Sequence, residues 1–290
     1  MSRSDWHKKA DTKEATFDGD YFHSCPPSPS CATCTGLQTA QYDWSVIDAA
    51  YCISLQERED RAQSVATQFH RVGLCRLVRF YRPNRHPEAP IAGIWESHRT
   101  VLADALRRGY DTVLVMEDDV KFVRWYGPRM SRLVMKVARS LPERWQIFYL
   151  GHWPLKMRFL SLNLVKTHSA CTHAYIANTS LMRLMADQPY GSVKLASLIG
   201  KGVDAYYATL DQTYAFFPMV AIQNATASDH VLAHRRGRIR KLSHLITRTR
   251  SRELLLSSLM RPAELLAAFT AAVARLGAVF RRNQCEITPT

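Results

Sequence analysis

No run of about 18 uninterrupted apolar residues occurs in this 290-residue chain, so the sequence offers no candidate membrane-crossing helix. The first 20 residues are polar and mixed in charge, without the apolar centre of a secretory signal. That absence predicts a cytoplasmic protein made without export. No internal repeat divides the chain into like units. No second pair of acids stands at the end of another apolar run, which argues against a phosphodiesterase or nucleotidyltransferase of the kind that uses two metals. Aromatic residues are sparse in the basic C-terminal part, so a nucleic-acid-binding reading of that part lacks its stacking groups and leaves the acids described below unexplained.

What is there is ordinary in bulk and uneven in detail. Apolar content of 47% and charged content of 22% suit a soluble globular protein large enough to bury a substantial core. The formal net charge is +14. Residues 231–290 hold 12 Lys and Arg against 3 Asp and Glu, a net of +9, which leaves +5 for the first 230. The basic excess is therefore mostly a property of the tail, and can attract a membrane surface, nucleic acid or a phosphate-rich substrate.

Seven cysteines are present. Cys52, Cys75, Cys171 and Cys285 are scattered and read as reduced, partly buried thiols. Cys25, Cys31 and Cys34 lie close together. The Cys31-x-x-Cys34 pair can hold zinc, but a structural site needs four ligands and His23 is the obvious fourth candidate. The competing reading is an irregular leader without metal.

Three regions follow: a polar, Pro- and Cys-containing leader over 1–41 that reads as poorly ordered, a folded domain over 42–232, and a basic helical tail over 233–290. In the middle region, strands are expected over 45–55, 74–81, 145–150, 174–178 and 214–222, with helices over 57–72, 94–108, 128–140 and 179–187. Alternation of strand and helix predicts a mostly parallel α/β sheet flanked by helices. Segments 152–170 and 191–201 read as loops. In the tail, residues 264–280 place Leu265, Phe269, Ala272, Leu276 and Phe280 along one helical stripe beside arginines, suited either to a membrane surface or to docking on the domain itself.

The stretch that organises the chain is Tyr110-Asp111-Thr112-Val113-Leu114-Val115-Met116-Glu117-Asp118-Asp119-Val120. An apolar run without helical period fits a strand buried on both faces, and it ends in three carboxylates. Ligands of open α/β sheets collect at the carboxyl ends of strands. Crowded acids there repel one another unless a hard cation such as Mg2+ or Mn2+ sits among them. A solvated acidic turn is the alternative.

Four segments in order resemble glycosyltransferase family 25, the lipooligosaccharide and collagen sugar transferases. They are Tyr51-Cys52-Ile53-Ser54-Leu55 with the following Asp60-Arg61, Gly93-Ile94-Trp95-Glu96-Ser97-His98, the acidic strand end at 113–120, and Phe148-Tyr149-Leu150-Gly151 with His173-Ala174-Tyr175-Ile176. The resemblance covers roughly 46–230 and implies a GT-A type, Rossmann-like fold. It also implies a UDP-hexose donor, a divalent metal on its diphosphate, and a glycan or glycolipid hydroxyl as acceptor. On it, Glu117 and Asp119 correspond to the outer acids of an Asp-x-Asp-like motif, with Asp119 the direct ligand, and Asp118 reaches the ribose or the metal. His230 is the candidate for a late additional ligand. Asp204, with Asp211 as rival, is the candidate base for an inverting transfer. Ser54 lies in the opening segment. Arg58 and Arg61 suit a diphosphate or uracil contact. Ser97 and His98 are expected early in a helix whose N-terminus faces an anion. Trp153 and Tyr175 are able to stack on a sugar or base, or to sit in the core.

Overall fold

The computed structural model describes residues 21–31, 34, 41–193 and 202–223. Its first half is two strand–helix–strand crossovers. Strand β2 (Ala49–Ile53) runs into helix α1 (Glu59–Arg71) and strand β3 (Val78–Tyr81), then helix α2 (Pro90–Arg107) and strand β4 (Thr112–Glu117). Both β3 and β4 pair with β2 in parallel. Helix α1 keeps Ala62, Val65, Ala66 and Phe69 on its buried face, and acids fill its first turn against the helix dipole. Gly73, at φ 69°, closes it. The amide of Leu74 reaches Phe69 O (2.9 Å) and that of Gly73 reaches His70 O (3.4 Å), so the left-handed residue that ends the helix also turns the chain back along it.

Strand β4 is the centre. Val113, Leu114, Val115 and Met116 are all fully buried, and successive side chains point to opposite faces. Leu114 and Met116 join a core with Phe69 of α1 and with Val134 and Met135 of helix α3 (Pro128–Arg139). Val113 and Val115 join a second core with Trp95 and Leu102 of α2 and with Leu181 and Met185 of helix α4 (Thr179–Ala186). At about 1.5–3 kcal/mol per buried aliphatic side chain, this strand alone anchors both layers.

The second half departs from a parallel plan. Strand β6 (Ile147–Phe159) turns directly into β7 (Leu164–Asn178), which lies antiparallel to both β6 and β4. Helix α5 (Val203–Tyr207) leads to β8 (Thr213–Phe216), parallel to β6, while β5 (Val120–Phe122) and β9 (Ala221–Gln223) form a separate antiparallel ribbon. With β1 (Phe22–Ser24) antiparallel at the edge, the main sheet has the order β1-β3-β2-β4-β7-β6-β8. The molecule is a mixed α/β fold with helices on both faces. The sheet is less parallel than expected because a turn of only four residues joins β6 to β7, too short for a crossover.

Three further expectations are corrected. Residues 152–170 are not a loop but the outer part of the β6–β7 arm, whose Trp153, Leu155, Met157 and Phe159 are exposed. Part of the leader is ordered, since Phe22–Ser24 adds a strand to the sheet. The strand expected over 214–222 is split into β8 and β9 around a cis Phe217–Pro218 bond. The basic tail, Cys285, and the 194–201 part of the expected 191–201 loop lie outside the described residues. No helix among the described residues is long and apolar enough to cross a membrane.

Candidate active site at the end of strand β4

The acids leave β4 at the carboxyl edge of the parallel strands, and each meets a different environment. Asp118 is fully engaged: its Oδ2 accepts from Ser54 Oγ (2.9 Å), just past β2, and its Oδ1 from Arg61 of α1 (3.1 Å). Glu117 Oε1 accepts from Thr172 Oγ1 (2.7 Å) and stands 3.7 Å from His98 Nε2. On its other side, His98 Nδ1 lies 2.9 Å from the Tyr175 hydroxyl, which is itself 3.2 Å from that of Tyr207. Asp119 is the exception. Its Oδ1 is buried and has no hydrogen-bond partner among the described residues.

The electrostatics follow these partners. Burial pushes the Asp119 carboxyl well above its ordinary range, and the charges of Glu117 and Asp118 push it further. Burial also raises Asp118, only partly opposed by Arg61 and Ser54. For Glu117, burial is outweighed by the neighbouring His98 imidazole, with help from the Thr172 hydrogen bond, and its pKa is lowered. A buried carboxylate oxygen without a donor, crowded by two more acids, is what a hard divalent cation satisfies. Among these acids Asp119 has the oxygen that the described residues leave open, but the three do not bring their oxygens together as a ready-made ligand group. Asp118 is committed to Ser54 and Arg61.

The acids form one wall of a cavity of about 510 Å³. Arg58, Arg61, Ser97 and His98 line it with them, so seven residues singled out in the sequence converge on one space. Arg58 holds Asp60 through two 2.9 Å bonds. Ser54 stands behind the wall, acting on Asp118. Helix α2 begins at Pro90, four residues earlier than expected, so Ser97 and His98 lie in its second and third turns and do not flank its N-terminus. Ser97 Oγ donates to Gly93 O (2.7 Å) within the helix.

Asp204 and Asp211 are not brought into this lining. Asp204 opens α5, and a Cβ on Gly202 would lie 2.7 Å from its Oδ1 and 3.8 Å from Ile91 of α2, which places it beside the turn that carries Pro90 to the cavity. Asp211 is exposed and precedes β8, at the amino edge of the parallel strands, opposite the acids. His230 lies outside the described residues. Tyr175 is core, and Trp153 is half exposed on the arm and away from the cavity.

Sequence reasoning missed the support behind Glu117. Between the pairs Gly151↔Ala174 and Trp153↔Ala170, one residue of β6 faces three of β7, a bulge in which Cys171 takes φ 70°. The bulge delivers Thr172 and His173 toward Glu117, and nothing in the local sequence announces it. Gly151 is required there. A Cβ would lie 2.2 Å from His173 Nε2 and 2.4 Å from Ala221 O. The lining residues Asn84, Arg85 and His86 were readable only as a Pro-rich loop after β3.

At the far end of α1 lies a second group. The Sγ atoms of Cys31, Cys34 and Cys75 and a ring nitrogen of His70 all lie within 4.8 Å of one another and could hold a metal ion. Cys34 Sγ is 3.4 Å from both His70 Nδ1 and Cys75 Sγ, and Cys31 Sγ is 3.7 Å from Cys75 Sγ. Burial raises the Cys31 thiol, but hydrogen bonds from the Cys34 amide and from His70, Cys34 and Cys75 outweigh it and bring it down to about 6. Neither Cys25 nor His23 belongs to this set.

No protein-family model and no curated protein matches the chain. Among solved structures, the crystal structure of A197 from STIV is similar over 58% of this chain and 80% of that one, at 13% identity and a TM-score of 0.36.

Proposed function

We propose that the chain is a metal-assisted glycosyltransferase of GT-A type, moving a hexose (galactose or glucose) from a UDP-sugar to a hydroxyl of a glycan or glycolipid. The observation that carries this reading is the cavity at the carboxyl edge, with Glu117, Asp118 and Asp119 and the guanidinium groups of Arg58 and Arg61 in its lining. Its volume of about 510 Å³ falls within the range of small-molecule sites. The ordered resemblance to family 25 supports the same reading.

In this reading Asp119 holds a Mn2+ or Mg2+ ion together with Glu117. When bound, the ion neutralises the charge that builds on a departing diphosphate. Arg61, fixed by Asp118, sets its guanidinium in the cavity wall to face the phosphates, and Arg58 does so from the N-terminus of α1. Ser54 keeps Asp118 facing Arg61. His98 and Thr172 hold Glu117 ionised. Of the two base candidates, Asp204 is favoured because Asp211 lies at the opposite edge. The basic tail is proposed to bring the enzyme to an anionic membrane surface, where a glycolipid acceptor resides. Removing residues 235–290 is then expected to weaken binding to anionic vesicles and spare nucleotide-sugar binding. Equal vesicle binding by the shortened protein would overturn that part.

The test of the donor site is thermal stability of the full chain with UDP, UDP-galactose and UDP-glucose, each with and without Mn2+. A ligand at 100 times its Kd adds about 2.7 kcal/mol of stability. A rise that needs Mn2+ and disappears in Asp119→Ala is expected. A folded sample that responds to none of these ligands would overturn the proposal.

A further inference from the structure

The Cys/His group at the C-terminal end of α1 does not take part in the cavity chemistry, and its donors point to a different ion. Three sulfurs and one imidazole are a soft set, unlike the carboxylate oxygens at the other end of the helix. They arrive as two chelating pairs, Cys31-x-x-Cys34 from the N-terminal segment and His70 with Cys75 from the end of α1 and the turn beyond it. The turn at Gly73 makes the second pair possible, since its left-handed backbone folds residue 75 back toward residue 70.

The spacings fit a tetrahedron. With metal–sulfur bonds of about 2.3 Å and metal–nitrogen bonds of about 2.0–2.1 Å, tetrahedral edges are roughly 3.8 Å between sulfurs and roughly 3.5 Å between sulfur and nitrogen. The observed contacts are 3.4 and 3.7 Å between sulfurs and 3.4 Å from sulfur to nitrogen. A disulfide needs sulfurs at about 2.05 Å. Here two cysteines approach the same Cys75 sulfur at similar distances, so a single bridge leaves a third thiol and the imidazole without a purpose. Cys31 and Cys75 are buried, and four protein donors leave no position open for substrate. That is the character of a structural site.

We propose that Cys31, Cys34, His70 and Cys75 bind one structural Zn2+ ion that fastens the N-terminal segment to the C-terminal end of α1. The ion closes a loop between residues 34 and 70 and holds α1 at the end away from Arg58 and Arg61. The site is independent of the transferase reading and remains if that reading fails.

The experiment is metal analysis of the full chain, purified under reducing conditions without added metal, followed by replacement with Co2+. About one zinc per chain is expected, with a cobalt form showing thiolate charge-transfer absorption and the intense visible bands of tetrahedral coordination. Cys34→Ser and Cys75→Ser are expected to lose the metal. Those variants could lose zinc simply by misfolding, so His70→Cys supplies a second arm: it is expected to keep the ion and shift the cobalt bands as the fourth ligand becomes sulfur. Cys25→Ser and Asp119→Asn are expected to retain a full equivalent. Substoichiometric zinc with no tetrahedral cobalt spectrum would overturn the proposal. So would zinc that survives Cys34→Ser but leaves with Asp119→Asn, or a disulfide to Cys75 found by mass in the reduced-purified protein.

Discussion

The two ends of α1 solve the same problem with different donors. At its N-terminus, carboxylates from one contiguous run meet arginines and face a cavity. At its C-terminus, thiols and an imidazole gathered from two segments close on one another. At the first end the described residues leave the buried Asp119 Oδ1 without a hydrogen-bond donor, so a ligand has a place to complete it. Four donors at the second end already face a common centre, so it is built to stay shut. An open site tolerates imperfect local stability because a ligand completes it, whereas a closed one is part of the fold.

The largest effect expected from this contrast is at the closed end. A strong zinc chelator is expected to lower stability by about 3 kcal/mol, roughly 6–12 °C in midpoint for a domain of this size. Mn2+ alone at the open end is expected to raise the midpoint only slightly. A chelator-resistant midpoint would break the comparison. The open end also has a rigid backing. Gly151→Ala puts a methyl group against the Ala221 carbonyl and His173, and is expected to cost about 3 kcal/mol and to displace the His173 support of Glu117. Denaturant unfolding measures it, and a loss below about 1 kcal/mol would show that the bulge yields.

The next effect is on acid stability. Burial, with the charge of His173, brings His152 down to about 3, well below the unfolded value near 6.5. Between these values the unfolded chain binds the extra proton, so stability is present above pH 6.5 and is lost as pH falls, by about 1.4 kcal/mol per unit. His152→Gln, which can keep a hydrogen bond to Ser169, is expected to flatten that slope between pH 6.5 and 4. An unchanged slope would assign acid sensitivity elsewhere.

The smallest effect has the opposite sign. Asp119 is raised by burial first and by its acidic neighbours second, so its folded form holds a proton more tightly than its unfolded form. Ionising it above the unfolded pKa therefore weakens the metal-free fold. Asp119→Asn is expected to stabilise the metal-free protein by roughly 1 kcal/mol at neutral pH while removing the response to Mn2+. Destabilisation instead would show that the carboxylate is satisfied without an ion.

The same contrast explains what could be read in advance. Val113 to Asp119 carries its meaning in order, an apolar run followed by acids, so the strand and its wall of the cavity were visible. The crossovers around α1 and α2 were visible for the same reason, in helical periods closed by Gly73 and Gly109. The zinc set was not, because Cys75 stands 41 residues from Cys34 and looks like any isolated thiol until a turn returns it to His70. The β6–β7 arm was also hidden. Its exposed Trp153, Leu155, Met157 and Phe159 lack the buried face that gives a strand its pattern. The bulge at Cys171 follows from pairing, which no single strand encodes.

Helix α1 has 13 residues and spans about 20 Å, with Arg61 bonded to Asp118 near one end and His70 beside the thiols at the other. Its backbone amides are therefore a shared gauge. Hydrogen exchange along this one helix should slow from the His70 end when zinc is loaded and from the Arg61 end when a nucleotide ligand enters. A single peptide in one exchange map thus separates the two events by direction as well as by amount.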